Sequence, residues 1–262
     1  MNTVTSKDGT RIAYDKVGDG PAVILVAGAL GARQSWSGPD LAQRLAPHFT
    51  IYNYDRRGRG DSGDTLPYAV AREIEDLEAL IDVAGRVAAL YGHSSGGSLA
   101  LEAAAALGHK VTRVAVYEAP YDDAPQARQA WQAYIRQLTE LLAAGRRGDA
   151  VALFMQYVGT PAAQIAGMRH APFWRGLEAL APTLAYDHTA ILGADPAVPV
   201  ERVAGITAPA LVMAGDASAP FLPITAQTLS QAMPHAQLRI LSGQTHNVSS
   251  EVLAPVLTEF FA

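Results

Sequence analysis

The sequence predicts an α/β domain: a mostly parallel central sheet flanked by helices, carrying a helical cap insert. Three observations point there. Short runs that are apolar on both faces recur along the chain, helical patterns fall between them, and from Tyr121 to about Val203 the alternation gives way to helical text alone. Strands apolar on both faces belong inside a sheet covered on each side by helices, and regular strand–helix alternation argues for parallel pairing.

The elements follow in order. After the Asp8-Gly9 turn, Arg11 to Val17 reads as a strand, and Gly18-Asp19-Gly20-Pro21 is a turn leading into Ala22 to Val26. Further strands are expected at Thr50 to Tyr54, Val87 to Tyr91, Val114 to Tyr117, Ala210 to Ala214 and Gln237 to Leu241. Ala69 to Val83 places Ile74, Leu77 and Ile81 at helical spacing with acids on the other side, and Ala-rich Ser95 to Leu107 starts at a glycine cluster. Ser249-Ser250-Glu251 reads as the N-cap of a last helix.

The helical stretch is broken by Gly145, Gly148, Pro161, Pro172 and Pro182, which suits an insert of several short helices. The division expected is a core of residues 1–120 and 204–262 with a cap of residues 121–203. Trp131, Tyr134, Phe154, Tyr157, Phe173, Trp174 and Tyr186 supply its aromatics. Packing of the insert onto the sheet is the preferred reading for most of them, and lining of a ligand pocket is the alternative.

Composition narrows the functional classes. A chain of 262 residues can bury roughly 70–75% of the surface it exposes unfolded, so its core needs no covalent staples. It has no cysteine, which excludes disulfides, thiolate metal sites and a cysteine nucleophile. With 25 acidic against 20 basic residues the net charge is −5, which offers no footprint for nucleic acid or an anionic membrane. The apolar run Pro21 to Leu30 is far shorter than the roughly 20 residues a bilayer requires. Nothing near Met1 to Gly9 resembles a secretory signal, so a cytoplasmic location is expected.

The chemistry concentrates at Gly92-His93-Ser94-Ser95-Gly96-Gly97, a G-x-S-x-G pattern between an apolar strand and a helix. Small residues at 92 and 96 let strand and helix approach, so that Ser94 projects above the sheet as a nucleophile. A serine hydroxyl needs a base. Of seven histidines, His246 alone stands just past the final strand and before the final helix, where such a base belongs. His109, His170, His188, His235 and His48 read as surface or capping residues, and His93 as a variable position of the turn.

An imidazole base needs a carboxylate to orient it, at the C-terminal edge of a neighbouring strand. Two places compete. Glu118 follows the strand ending at Tyr117, and Asp216 follows the strand ending at Ala214. An acid directly at the end of an apolar strand is costly to leave unpaired, which favours Glu118, with Asp216 as the alternative. For Glu118 a structural pairing with the insert is the competing explanation. The oxyanion formed by serine attack needs two backbone donors, assigned to Ser95 and to Ala29 of Ala27-Gly28-Ala29-Leu30-Gly31.

With these motifs in order, the chain resembles the α/β-hydrolase superfamily over nearly its whole length. Tyr54-Asp55-Arg56-Arg57-Gly58-Arg59-Gly60-Asp61-Ser62 looks like that superfamily's D-x-R-G-x-G-x-S turn and is expected to be a structural brace near the site. Relatives generally carry an acid at the position of Ser218, and this chain departs from that pattern; it also has Ala27 where a His-Gly pair is frequent. An acid at the position of Glu118 resembles haloalkane dehalogenases and zearalenone-type lactonases. Dehalogenases and epoxide hydrolases use an aspartate nucleophile where this chain has Ser94, so the resemblance implies lactonase-like or esterase-like chemistry.

The expected function is therefore hydrolysis of a carboxylic ester or lactone of a medium-sized apolar substrate through an acyl-enzyme, with no metal and no cofactor. Because the imidazole must be neutral to act, activity should fall below roughly pH 6–7, the ordinary histidine range. Acyl transfer, C–C bond hydrolysis and cofactor-free perhydrolysis could use the same residues. A non-catalytic ligand-binding member of the superfamily is the alternative from another class. Small-molecule partners are expected; oligomeric state is not encoded in any readable way.

Overall fold

The doubly apolar runs become the interior of an eight-stranded sheet in the computed structural model, which describes residues 1–262. Its strands are β1 (Asn2–Thr5), β2 (Arg11–Val17), β3 (Ala22–Val26), β4 (Thr50–Tyr54), β5 (Ala88–His93), β6 (Val111–Tyr117), β7 (Ala210–Gly215) and β8 (Ala236–Leu241). They lie in the order β1-β2-β4-β3-β5-β6-β7-β8. β2 pairs antiparallel with β1 and β4, and all other neighbours are parallel. β1 has no counterpart in the sequence reading: its four residues are mostly exposed and carry no apolar pattern.

The helices are α1 (Gly38–Leu45), α2 (Val70–Val83), α3 (Ser95–Leu107), α4 (Pro125–Ala143), α5 (Arg147–Tyr157), α6 (Ala162–Met168), α7 (Trp174–Leu180), α8 (Val200–Val203), α9 (Phe221–Ala232) and α10 (Ser250–Phe261). Strand side chains alternate between two cores. Val23, Leu25, Tyr91, Tyr117 and Met213 face α1 and α10. Ile24, Val26, Leu90, Val116 and Val212 face the side covered by α2, α3 and α9. α3 is buried from Ser95 to Leu101 and again at Ala103 and Ala104, where mostly small residues let it sit close on β5 and β6. Ser249 caps α10, its Oγ accepting from the N–H of Glu251 at 3.2 Å.

On α2 the sequence reading is corrected. Its acids were expected on the side opposite Ile74, Leu77 and Ile81, but Glu73 and Asp76 are buried as Leu77, Leu80 and Ile81 are. They are turned inward by Arg56 and Arg57, which they bind in bidentate pairs. The stretch between β6 and β7 folds as α4 to α8 with a π-helical turn at Tyr186–Ile191. Trp131, Tyr134, Trp174 and Tyr186 are buried there, whereas Phe173 projects outward and is 53% exposed. No helix is long and apolar enough to cross a membrane.

Candidate active site

Parallel strands bring their C-terminal ends to one edge, where ligands of open α/β sheets bind. Because β3, β5, β6, β7 and β8 are neighbours, the segments that follow them stand side by side. The backbone continues the sheet's bonding past the strand ends. The Ser94 N–H donates to Tyr117 O at 2.9 Å, the Glu118 N–H to Met213 O at 2.9 Å, and the Asp216 N–H to Leu241 O at 3.2 Å.

Ser94 has φ 56° and ψ −129° at the junction of β5 and α3. That left-handed conformation, unusual for a side-chain-bearing residue, costs on the order of 1–3 kcal/mol and persists only where the surroundings impose it. The surroundings are the two glycines. A Cβ on Gly92 would stand 2.4 Å from Gly96 O, and one on Gly96 would stand 2.3 Å from Val26 O. Leu30 and Glu118 also have positive φ, at 56° and 51°, so three of the four such non-glycine residues of the chain lie at this edge.

Glu118 and His246 are brought together. Glu118 Oε2 lies 2.7 Å from His246 Nδ1, and Oε1 accepts from the Gly215 N–H at 2.8 Å and from the Ser218 hydroxyl. Burial pushes the carboxyl up, but the bonds from His246, Ser218 and Gly215 outweigh it and hold it below the usual range. Asp216 is elsewhere: its exposed Oδ1 accepts from the Gly243 N–H at 2.6 Å and closes that turn. Ser218, the place where the resemblance leads one to look for an acid, instead donates to the acid present.

No hydrogen bond joins Ser94 to His246 in the free chain; such contacts often tighten only when substrate arrives. Their two loops are nevertheless fastened together. His93, next to Ser94, has Nε2 2.9 Å from His246 O, with ring centroids 4.8 Å apart. Burial and the neighbouring His246 push His93 down to about 4, so it is neutral and its ring N–H donates to that carbonyl. Tyr117 donates to Thr245 O at 2.7 Å from the other side. Sequence reasoning missed the roles of His93 and Tyr117, because both reach across 128 residues or more to loop carbonyls that leave no mark in composition.

Ser95 occupies the first position of α3, where a backbone N–H has no acceptor within the helix. In the loop after β3, the Gly31 N–H turns back to Gly28 O at 3.1 Å, and the N–H groups of Ala29 and Leu30 make no backbone bond. Gly28 packs so close to the turn that carries Ser94 that a Cβ on it would stand 3.0 Å from Ser94 Cβ. The arginine-rich turn after β4 lies beneath. Arg56 donates to Ala27 O at 3.2 Å and Arg59 to Gly28 O at 2.6 Å.

His188, expected as a surface or capping residue, is buried with 5% exposure among Trp131, Tyr134 and Phe154. The wide π-helical turn carries Tyr186, Asp187 and His188 all inward. The Tyr134 hydroxyl lies 2.8 Å from its Nδ1, and burial pushes the ring down to about 4. A separate surface depression of about 610 Å³, bordered by Arg146, Arg147, Arg169 and Arg175, shares no residue with this edge. No group of three or more His, Asp or Glu side chains is arranged to hold a metal ion.

A sequence profile described as the alpha/beta hydrolase family matches residues 23–255, and the chain belongs to that family. It is 50% identical to an alpha/beta hydrolase from Sphaerobacter thermophilus DSM 20745, with 100% of both chains covered and a TM-score of 0.88. A 104-residue stretch is 39% identical to RutD of Caulobacter sp. (strain K31), a protein named for carbamate hydrolysis, covering 37% of each chain. The chain thus spans under half the length of the curated relatives it matches. The enol-lactonase from Burkholderia xenovorans LB400 is 21% identical over 99% of each chain with a TM-score of 0.70, a likeness that shows the fold alone.

Proposed function

We propose that this chain is a serine hydrolase that cleaves a carboxylic ester or lactone of medium-sized apolar character through an acyl-enzyme. Ser94 is the nucleophile, His246 the base, Glu118 the acid that orients it, and the N–H groups of Ala29 and Ser95 hold the oxyanion. Residues 121–203 act as the cap over a core of residues 1–120 and 204–262, and the scheme needs no metal or cofactor.

The observation that carries this reading is the 2.7 Å contact between Glu118 Oε2 and His246 Nδ1. It fixes the proton on Nδ1 and leaves Nε2 as the lone-pair nitrogen, in a loop fastened to the residue next to a serine held in a strained backbone conformation. His246 Nε2 takes the Ser94 proton as Oγ bonds to the carbonyl carbon, and the carbonyl π pair moves onto oxygen. Collapse expels the alcohol, which receives that proton from His246. Water then repeats the sequence on the acyl-enzyme and frees the acid.

The test is a panel of p-nitrophenyl esters of graded chain length, lactones and aryl carbamates, run beside covalent labelling with a fluorophosphonate. Carbamates are included because their cleavage is the same acyl transfer and RutD is named for it. Turnover of at least one ester or lactone, with labelling at Ser94 that Ser94→Ala abolishes, is the expected result. An unlabelled wild-type chain inert toward the whole panel overturns the proposal in favour of a ligand-binding role.

A further inference from the structure

Four charged side chains are sealed beneath the nucleophile turn. Arg56, Arg59, Glu73 and Asp187 are each no more than 1% exposed. Burying charge is expensive unless every partner is present, so such a cluster calls for a reason. Glu73 is met by Arg56 in a bidentate pair at 2.6 and 2.7 Å. Asp187, from the π-helical turn of the insert, is the hub. Its Oδ1 accepts from Arg56 Nη1 at 2.7 Å and from Ser95 Oγ at 3.0 Å, and its Oδ2 accepts from Arg59 Nη2 at 2.7 Å. Burial pushes this carboxyl up, but the Arg56 and Arg59 charges outweigh that and hold it well below the usual carboxylate range. Arg59 has no other counter-charge, and its Nε finds no partner at all.

Both arginines also donate to carbonyls of the loop after β3. A trans peptide is planar, with its C=O and N–H pointing to opposite sides. Gly28 O and the Ala29 N–H belong to one peptide unit, so the bond from Arg59 Nη1 to Gly28 O sets the direction of the Ala29 N–H. The bond from Arg56 Nη1 to Ala27 O fixes the preceding unit in the same way. The other donor sits on Ser95, whose side chain is tied to the same carboxylate.

We infer that Asp187 is a positioning residue that aligns both halves of the oxyanion hole, one through Arg59 and Gly28 O and the other through Ser95. This rests on the serine-hydrolase reading above. It makes the insert part of the catalytic apparatus: without the π-helical turn docked, the Ala29 and Ser95 donors lose their common anchor. The residue never touches substrate; it acts through the two it holds.

The test measures kcat, KM and inhibition by an alkyl trifluoromethyl ketone for wild type, Asp187→Asn, Arg59→Gln and Ser95→Ala. The substrate is the best p-nitrophenyl ester of the panel, and rates are normalised to active sites counted by fluorophosphonate labelling at completion. Ser94 adds to the ketone to give a tetrahedral oxyanion, so its affinity reports the hole directly, while KM does not. Asp187→Asn and Arg59→Gln are expected to lower kcat per active site by about 10²–10³-fold, leave KM within about threefold, and weaken the ketone in parallel with kcat. Ser95→Ala should lower kcat about tenfold in the same pattern. Variants that lose active sites or thermal stability yet keep kcat per site and ketone affinity within threefold overturn the inference and leave the serine-hydrolase reading intact. If Asp187→Asn does not fold, the small, uncharged change Ser95→Ala and the loop contact probed by Arg59→Gln decide by the same criteria. A wild-type chain that neither turns over nor labels removes the underlying reading instead, and the inference with it.

Discussion

His246 Nδ1 and Glu118 Oε2 stand 2.7 Å apart, with the rest of the Glu118 carboxylate occupied by the Gly215 N–H and the Ser218 hydroxyl. The side chain of Glu118 is fully buried while that of His246 is 42% exposed. A buried anion thus holds a ring that is itself partly exposed. Replacing Glu118 by Gln keeps the shape and removes the charge, so the imidazole loses both its tautomer preference and the stabilisation of its charged form. Turnover should fall by about 10⁴-fold with KM little changed. Asp216→Asn should stay within about threefold of wild type, because that side chain only closes the Gly243 turn. The reverse ranking in steady-state kinetics would transfer the role to Asp216.

Ser218 offers a more demanding test of the same site. Its hydroxyl touches Glu118 Oε1, so a carboxylate placed there lies within reach of the same loop. In the Glu118→Gln background, Ser218→Asp should recover activity by about tenfold or more, since the orienting charge is restored from the adjacent strand end. In the wild-type background the same change sets two carboxylates against each other and should lower activity. Absence of any recovery in the double variant would show that β7 cannot present an acid to this histidine.

Two histidines make the fold acid-sensitive above the carboxylate range. His188 and His93 are both pushed from 6.5 down to about 4 by burial. Between those values the unfolded chain binds protons that the folded chain refuses, so stability is full above pH 6.5 and is lost as pH falls toward 4. For His188 the loss amounts to about 3 kcal/mol over the window. Urea midpoints measured from pH 7.5 to 4.5 should fall steadily, and His188→Phe should flatten that slope. An unchanged slope in the variant would mean that the ring is solvated or protonated in the folded chain.

The buried pairing of Arg56 with Glu73 joins α2 to the turn after β4. Removing Glu73 leaves two buried guanidiniums, Arg56 and Arg59, on the single Asp187 carboxylate, so one positive charge inside the protein goes uncompensated. Glu73→Ala should therefore cost about 3–5 kcal/mol in denaturant unfolding, far more than loss of the exposed Arg239 to Glu259 pair, which solvent screens. Equal effects from the two changes would argue that water reaches the cluster.

Gly96 tests the cramped bend itself. An added methyl would meet the carbonyls of Val26 and Ala27 at 2.3 and 2.5 Å, both backbone atoms that cannot swing aside. Gly96→Ala should destabilise by about 3 kcal/mol or more, or prevent folding, whereas Gly176→Ala, with open space around it, should be stabilising or neutral. Thermal melts of the two variants make the comparison.

Much of this architecture was legible because its causes are local. A both-sides-apolar run has only one place in an α/β domain, so β3, β5 and β7 could be read from residues a few positions apart. The glycines around Ser94 announce a close approach for the same reason. What could not be read was which polar groups meet across the chain. The acids of α2 read only as the side opposite its apolar stripe, and nothing local said that Glu73 and Asp76 would be buried against Arg56 and Arg57. His188 looked like a surface or capping residue because a helical reading cannot foresee a π-helical turn that carries three successive side chains inward.

The amino-acid order by itself determined the layers of the fold, the strained bend that carries Ser94 and the short set of residues able to assist it, since periodicity and glycine sterics act over a few neighbouring positions. Only the tertiary structure decided between Glu118 and Asp216 as the partner of His246 and linked Asp187, through Arg56 and Arg59, to the loop after β3. Both choices depend on strand order and helix docking, which bring together side chains about a hundred residues apart, and low-dielectric burial then makes each charge insist on a particular partner.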